Sequence, residues 1–197
     1  ILWSFFTECT NQGIQSIVLR GDLIRKISFP KWVVVVSTTA TALINLAINL
    51  GVLVIFALIN GVTPTWHWLL VPLSIIELYT FSLGISFLLG SINVKYRDVG
   101  SIWDVLIQAL FYAIPIIYPI SMVADRSVLA ARIILLNPIA QVIQDVRYCL
   151  ITDTAVTTWN YAGSWWSKLI PLVIVILSVV LAAIYFRKKS KYFAEEV

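Results

Sequence analysis

Glu77 lies inside a long apolar run. A carboxylate there costs at least about 2.5 kcal/mol on insertion into a bilayer unless it is paired, protonated or wetted. It reads either as a pathway or gating residue or as a buried structural hydrogen bond. Helical spacing, about 100° per residue, groups other polar side chains onto defined faces. Ser74, Glu77, Phe81, Gly84 and Ser91 share one face. Thr38, Thr41, Asn45 and Asn49 share a second, and Asp104, Gln108, Phe111, Pro115 and Tyr118 a third. Such stripes either line a polar and aromatic path or act as packing glue between helices.

No catalytic signature accompanies them. The sequence has no G-x-x-x-x-G-K-[ST] loop, no H-E-x-x-H and no G-x-S-x-G. Asp104 and Asp145 have no histidine near them in sequence, and the lone His67 makes no metal-ligand spacing with Cys9 and Cys149. Neither a metal site nor nucleotide hydrolysis is expected within the chain.

The elements that position these residues follow from composition. A mean hydropathy of +0.92 with 60% hydrophobic and 12% charged residues excludes an ordinary soluble domain. The 14 Lys and Arg residues fall mainly into three clusters: Arg20, Arg25, Lys26 and Lys31; Lys95 and Arg97; Arg187, Lys188, Lys189 and Lys191. Each flanks an apolar segment, as cytoplasmic loops do. A pI of about 9.1 is thus explained by topology and anionic headgroups rather than by nucleic acid.

Residues 33–59, 68–92, 101–120 and 169–186 are predicted to cross the membrane. Asn60-Gly61-Val62-Thr63-Pro64 forms a turn, and Trp66 and Trp68 sit at an interface. Pro115 and Pro119 should break the third span near its far end. Residues 133–151 are apolar but hold Asn137-Pro138, Gln141, Gln144, Asp145 and Arg147, a costly set for a lipid-facing helix. Counting that segment as a span would put the basic tail outside. Residues 120–168 are therefore read as an external region that dips into the membrane and returns. Arg97 and Arg187 then lie in the cytoplasm, Trp159 lies outside, and Cys9 and Cys149 sit on opposite sides with no disulfide. The chain starts at Ile1 and its only methionine is Met122, so it is expected to be part of a longer protein, with residues 1–6 the tail of an apolar segment.

Arg20 to Lys26, continuing through Ile27 to Pro30, is short, basic and amphipathic. Leu23, Ile24 and Ile27 fit one apolar face by their spacing. The segment is either a headgroup anchor or a docking element for a partner.

Several motifs resemble a known group. Leu23-Ile24-Arg25-Lys26-Ile27-Ser28-Phe29-Pro30-Lys31 resembles the loop after the second span of polysaccharide-exporting ABC permeases. Asn93-Val94-Lys95-Tyr96-Arg97-Asp98-Val99 resembles the loop after their fourth span. Phe111-Tyr112-Ala113-Ile114-Pro115-Ile116-Ile117-Tyr118-Pro119 resembles the outer end of their fifth. Leu136-Asn137-Pro138 with Gln144-Asp145-Val146-Arg147-Tyr148 resembles their re-entrant region. The group is the type-2 ABC permeases that export O-antigens, capsules and teichoic acids.

The resemblance implies a permease that dimerises and binds two copies of a separate ATPase, with ATP and Mg on that partner and no cofactor in this chain. The family's N-terminal helix, first span and most of the second would be missing. Arg20, Asp22, Leu23, Ile24, Arg25, Lys26 and Ile27 would form the coupling helix. Glu77, Tyr79, Phe81, Trp103, Gln108, Phe111 and Tyr112 become candidate channel residues, since aromatic rings can stack on sugar faces. Pro115, Tyr118, Pro119, Asn137, Pro138, Asp145 and Arg147 become candidates for an external gate.

The sequence thus predicts one all-α integral membrane domain over residues 1–197. It is a helical bundle with four crossings, a partial N-terminal span and a re-entrant external hairpin. It would sit in a bacterial plasma membrane with a cytoplasmic C-terminus, moving a lipid-linked polysaccharide or polyol-phosphate polymer. A drug or small-lipid permease, or a membrane enzyme acting on lipid-linked sugars, is the alternative.

Overall fold

The computed structural model describes residues 1–26, 29–151, 157, 166–191 and 193. The described elements are helical. They are α1 (Leu2–Leu19), α2 (Gly21–Lys26), α3 (Trp32–Ile59), a 3-10 helix (Trp66–Leu70), α4 (Val71–Lys95), α5 (Val99–Ala113), α6 (Ile120–Ala124), α7 (Val128–Leu135), α8 (Pro138–Leu150) and α9 (Trp166–Lys189).

Among the described residues, three segments are each long and apolar enough to cross a membrane: Trp32–Ile59, Trp66–Lys95 and Leu169–Lys189. They match the predicted crossings at 33–59, 68–92 and 169–186. The turn between the first two closes through Gly61, whose φ of 83° suits a residue without Cβ.

The third predicted crossing, 101–120, is not one helix. α5 stops at Ala113 after 15 residues. At 1.5 Å per residue it reaches about 22 Å, short of the roughly 30 Å hydrocarbon core. The cause is local: Ile114 is extended, with ψ 142°, as the residue before a proline tends to be.

α1 is far more than the tail of a span. Its 18 residues bury Leu2, Phe5, Phe6, Cys9, Thr10, Gly13, Ile14, Ser16 and Ile17. It packs along both α4 and α3. Its seam with α4 is built from small and polar residues, as membrane helix contacts usually are. Gly13 abuts Ser86, and a Cβ on Gly90 would sit 2.8 Å from the Gly13 carbonyl oxygen. Across the seam Ser86 donates to the Cys9 carbonyl at 3.2 Å and Asn93 to the Ile14 carbonyl at 3.1 Å.

At one end of the bundle, Ile17, Ile24, Val35, Val94, Phe186 and Phe193 form a common cluster. The ends of α1, α4 and α9 and the start of α3 therefore meet, bringing the three basic clusters to the same end. At the other end, α7 and α8 are joined at a 96° bend. α8, with 13 residues, reaches only about 20 Å, too short to cross alone. The bend falls at Asn137-Pro138. Asn137 Oδ1 accepts from the Ile139 amide at 2.9 Å, and Pro138 occupies the first helical turn. The segment predicted to be re-entrant is a capped pair of short helices, a bent shape shared by a re-entrant loop and a broken span. Cys9 and Cys149 are both free and buried.

Candidate functional site

The side of α1 turned away from the core is polar at membrane depth. Ser4 and Gln15 are exposed, and Thr7, Glu8, Asn11 and Gln12 are half-buried. Glu8 organises this face: its Oε1 accepts from Asn45 Nδ2 at 2.6 Å and from Gln12 Nε2 at 3.0 Å. Asn45 belongs to the α3 stripe, where Thr41, Asn45 and Asn49 are all exposed and Asn49 donates to the Asn45 carbonyl at 2.8 Å. α5, which also packs against α1, exposes Ser101, Asp104, Gln108 and Tyr112. Asn45 ties α3 to α1 through Glu8, but Thr41, Asn49, Asp104 and Gln108 are exposed rather than packed between helices of this chain. Together with α1 they leave an open polar face that hydrocarbon would penalise. Such a face needs water, cargo or another protein surface against it.

The α4 stripe behaves differently. Gly84 lies against Ser178 and Val179 of α9, and Ser91 is buried, so its inner half is a packing seam. Most aromatic candidates are also inside the protomer. Phe81 stacks on Phe6 at 6.0 Å, and Tyr79 lies 6.3 Å from Phe5. Trp103 is buried and donates from Nε1 to Thr10 Oγ1 at 3.0 Å. Phe111 is half-buried against Trp3, at 5.8 Å. Only Tyr112 is presented openly, with its ring 5.5 Å from Phe111.

Glu77, half-buried on the outer part of α4, faces α8. The Asp145 carboxylate is near enough to repel it, and Gln141 is a side-chain partner of Asp145. His67 packs edge-on against Tyr148 at 5.3 Å. Glu77 Oε1, His67 Nδ1, Gln141 Oε1 and Gln144 Nε2 have no hydrogen-bond partner among the described residues. Orphaned buried polar atoms are uncommon in folded proteins. Their gathering on the 3-10 helix, α4 and α8 marks this contact as poorly settled.

Two of the outer gate candidates, Arg147 and Pro115, are joined directly. Arg147 on α8 donates to the Pro115 carbonyl at 2.9 Å and to the Ile116 carbonyl at 2.7 Å. These are the carbonyls freed where α5 breaks. Tyr118 donates to the Ala113 carbonyl at 3.1 Å, satisfying the last turn of α5. Pro119 precedes α6, while Asn137 and Pro138 start α8.

α2 is two-sided. Asp22, Leu23, Arg25 and Lys26 are exposed, whereas Ile24 is buried in the cluster with Ile17 and Val35. Arg20 donates to Ser37 at 3.2 Å. Leu23 and Ile24 thus do not share one outward apolar face, and Ile27 lies outside the described residues, as does Trp159. Glu8, Asn11, Gln12 and Gln15 were missed from sequence, although their i, i+3, i+4, i+7 spacing was available. The apolar start of α1 masked a helix that continues to Leu19.

The chain is 29% identical over 203 residues to the O-antigen export system permease protein RfbA of Myxococcus xanthus, covering 99% of this chain and 72% of that protein. It is 26% identical to an RfbA of Klebsiella pneumoniae, covering 98% and 71%, and 24% identical to another from that organism, covering 96% and 70%. The ABC-2 type transporter family matches residues 1–151. With apolar helices of spanning length, an open polar face and a hairpin at one end, the chain belongs to the ABC-2 type transporter family of membrane permeases.

Proposed function

We propose that the chain is the permease subunit of an exporter that moves a lipid-linked polysaccharide or polyol-phosphate polymer out of the cytoplasm. Two copies would pair, and a separate ATPase, also in two copies, would supply the energy. The observation that carries this reading is the open face of Glu8, Gln12, Thr41, Asn45, Asn49, Asp104 and Gln108. A hydroxyl-rich polymer needs a wetted surface of uncharged donors and acceptors, and this face is dominated by amides and hydroxyls. The similarity to O-antigen export permeases supports a glycan cargo. The test is copurification with the ATPase, followed by analysis of glycans on deletion of the permease gene. Intracellular undecaprenyl-linked polymer should accumulate and surface polymer should vanish. Unchanged surface glycan would shift the assignment to a drug or small-lipid cargo.

In this scheme the basic end is cytoplasmic, because Arg20–Lys31, Lys95–Arg97 and Arg187–Lys191 flank the same end of the bundle. An impermeant thiol reagent should not label Arg97→Cys or Arg187→Cys in sealed cells. Labelling of either would invert the topology.

Glu77 is assigned to the contact between α4 and α8. Glu77→Gln keeps hydrogen bonding and should insert normally, with export changed by removal of the repulsion from Asp145. Glu77→Leu should lower export several-fold at normal membrane levels, because it removes the carboxylate that faces Asp145 on α8. Wild-type export by both variants would leave the residue with no gating role.

A further inference from the structure

Away from the polar face, α3, α4 and α9 enclose a slot of about 590 Å³ at the basic end of the bundle. This is the size of a small-molecule site. Its walls are apolar: Phe29, Trp32, Phe87, Ala183 and Phe186. Along α9 its lining runs from Val179 to Arg187, roughly 12 Å at 1.5 Å per residue, and Ser190 and Lys191 carry it past the helix end. That depth is close to one leaflet of a hydrocarbon core about 30 Å thick.

The mouth carries charge of one sign. Lys31, Arg187 and Lys191 line it, and no acidic side chain does so among the described residues. Lys31 is already held: it donates to the Ser190 carbonyl and lies 5.8 Å over the Phe193 ring. Arg187 and Lys191 are exposed. An apolar shaft with a cationic mouth at the membrane interface is complementary to one chain and one phosphate of an anionic lipid. Basic pockets between membrane helices recognise such headgroups. No residue of α1 or α5 lines the slot, so it is separate from the polar face.

We propose that this slot binds a resident anionic phospholipid, distinct from the transported cargo. An acyl chain lies against Phe87 and Ala183, and the headgroup phosphate meets Arg187 and Lys191, with Lys31 adding to the field. The lipid joins the start of α3 to the end of α9. This assignment stands independently of which polymer is moved.

The experiment is native mass spectrometry of the full-length permease with its ATPase, released into mixed micelles of equal parts phosphatidylglycerol and phosphatidylcholine. One phosphatidylglycerol per permease chain should be retained, with about tenfold preference over phosphatidylcholine. Arg187→Gln with Lys191→Gln should retain lipid without headgroup preference. Ala183→Trp should fill the slot and abolish retention of both lipids. It keeps every charge, so it tests the proposal even if the double variant inserts poorly. Excess undecaprenyl phosphate should not displace the phosphatidylglycerol. Equal retention of the two lipids, unchanged retention in Ala183→Trp, or displacement by undecaprenyl phosphate would each overturn the assignment. Displacement would make the slot a cargo site.

Discussion

Replacing Arg147 with alanine is expected to reduce export to less than a tenth of normal while the permease still reaches the membrane. Arg147 holds α8 to the broken end of α5 through the Pro115 and Ile116 carbonyls. Hydrogen bonds to a charged group are each worth about 1.5–3 kcal/mol, and total stabilities are only about 5–15 kcal/mol. Pro115 is buried, so its carbonyl would lose its partner with little access to water. The bundle itself rests on α1, α3, α4 and α9 and should assemble without this contact. Arg147→Lys should fall between, because one ammonium cannot reproduce the planar fork that engages two carbonyls. Surface polymer measured at matched membrane levels checks the expectation. Normal export by Arg147→Ala would show that the clamp has no part in transport.

The second large effect concerns α2. Leu23→Asp should cut ATPase copurification and export at least tenfold while leaving permease levels unchanged. Leu23 is 43% exposed at the basic end, beside Asp22, Arg25 and Lys26. An apolar anchor among charges has the composition of a docking site, and buried anchors carry most interface energy. Ile24→Ala should act otherwise. Ile24 is 5% exposed and packs with Ile17, Val35 and Val94. Its truncation should cost about 2–5 kcal/mol of fold stability and lower the membrane level. A permease with Leu23→Asp that still binds its ATPase fully would reduce α2 to a membrane anchor.

The long apolar runs of α3, α4 and α9 were legible because hydropathy and basic flanks act on composition alone. The break after Ala113 was half legible: Pro115 marked a disruption, but not that the helix ends before it. α1 was not recognised as a helix at the centre of the bundle. It alternates small, polar and apolar residues, so hydropathy is weak where helix contacts are strong. Gly13 and Ser16 look unremarkable until Ser86 and Gly90 are brought against them. Spacing grouped the polar stripes correctly, but open faces and packed seams differ only in which helices meet. That is why Thr41, Asn45 and Asn49 remained exposed while Gly84 and Ser91 became contacts. The pairing of Arg147 with Pro115 joins residues 32 apart, which no local pattern encodes.

On the proposed function, α1, α3 and α5 present a wetted translocation path. Its most direct test is cysteine accessibility in the assembled exporter, with a small water-soluble thiol reagent applied to membranes. Asn45→Cys, Asn49→Cys and Gln108→Cys should react, and polymer in transit should protect them. Ile44→Cys and Ile55→Cys, also exposed on α3 but about 80–100° around the helix from Asn45, should stay unreactive in lipid. Reaction at Ile44 and Ile55 with silence at Asn45, Asn49 and Gln108 would contradict the account and place the path on another face.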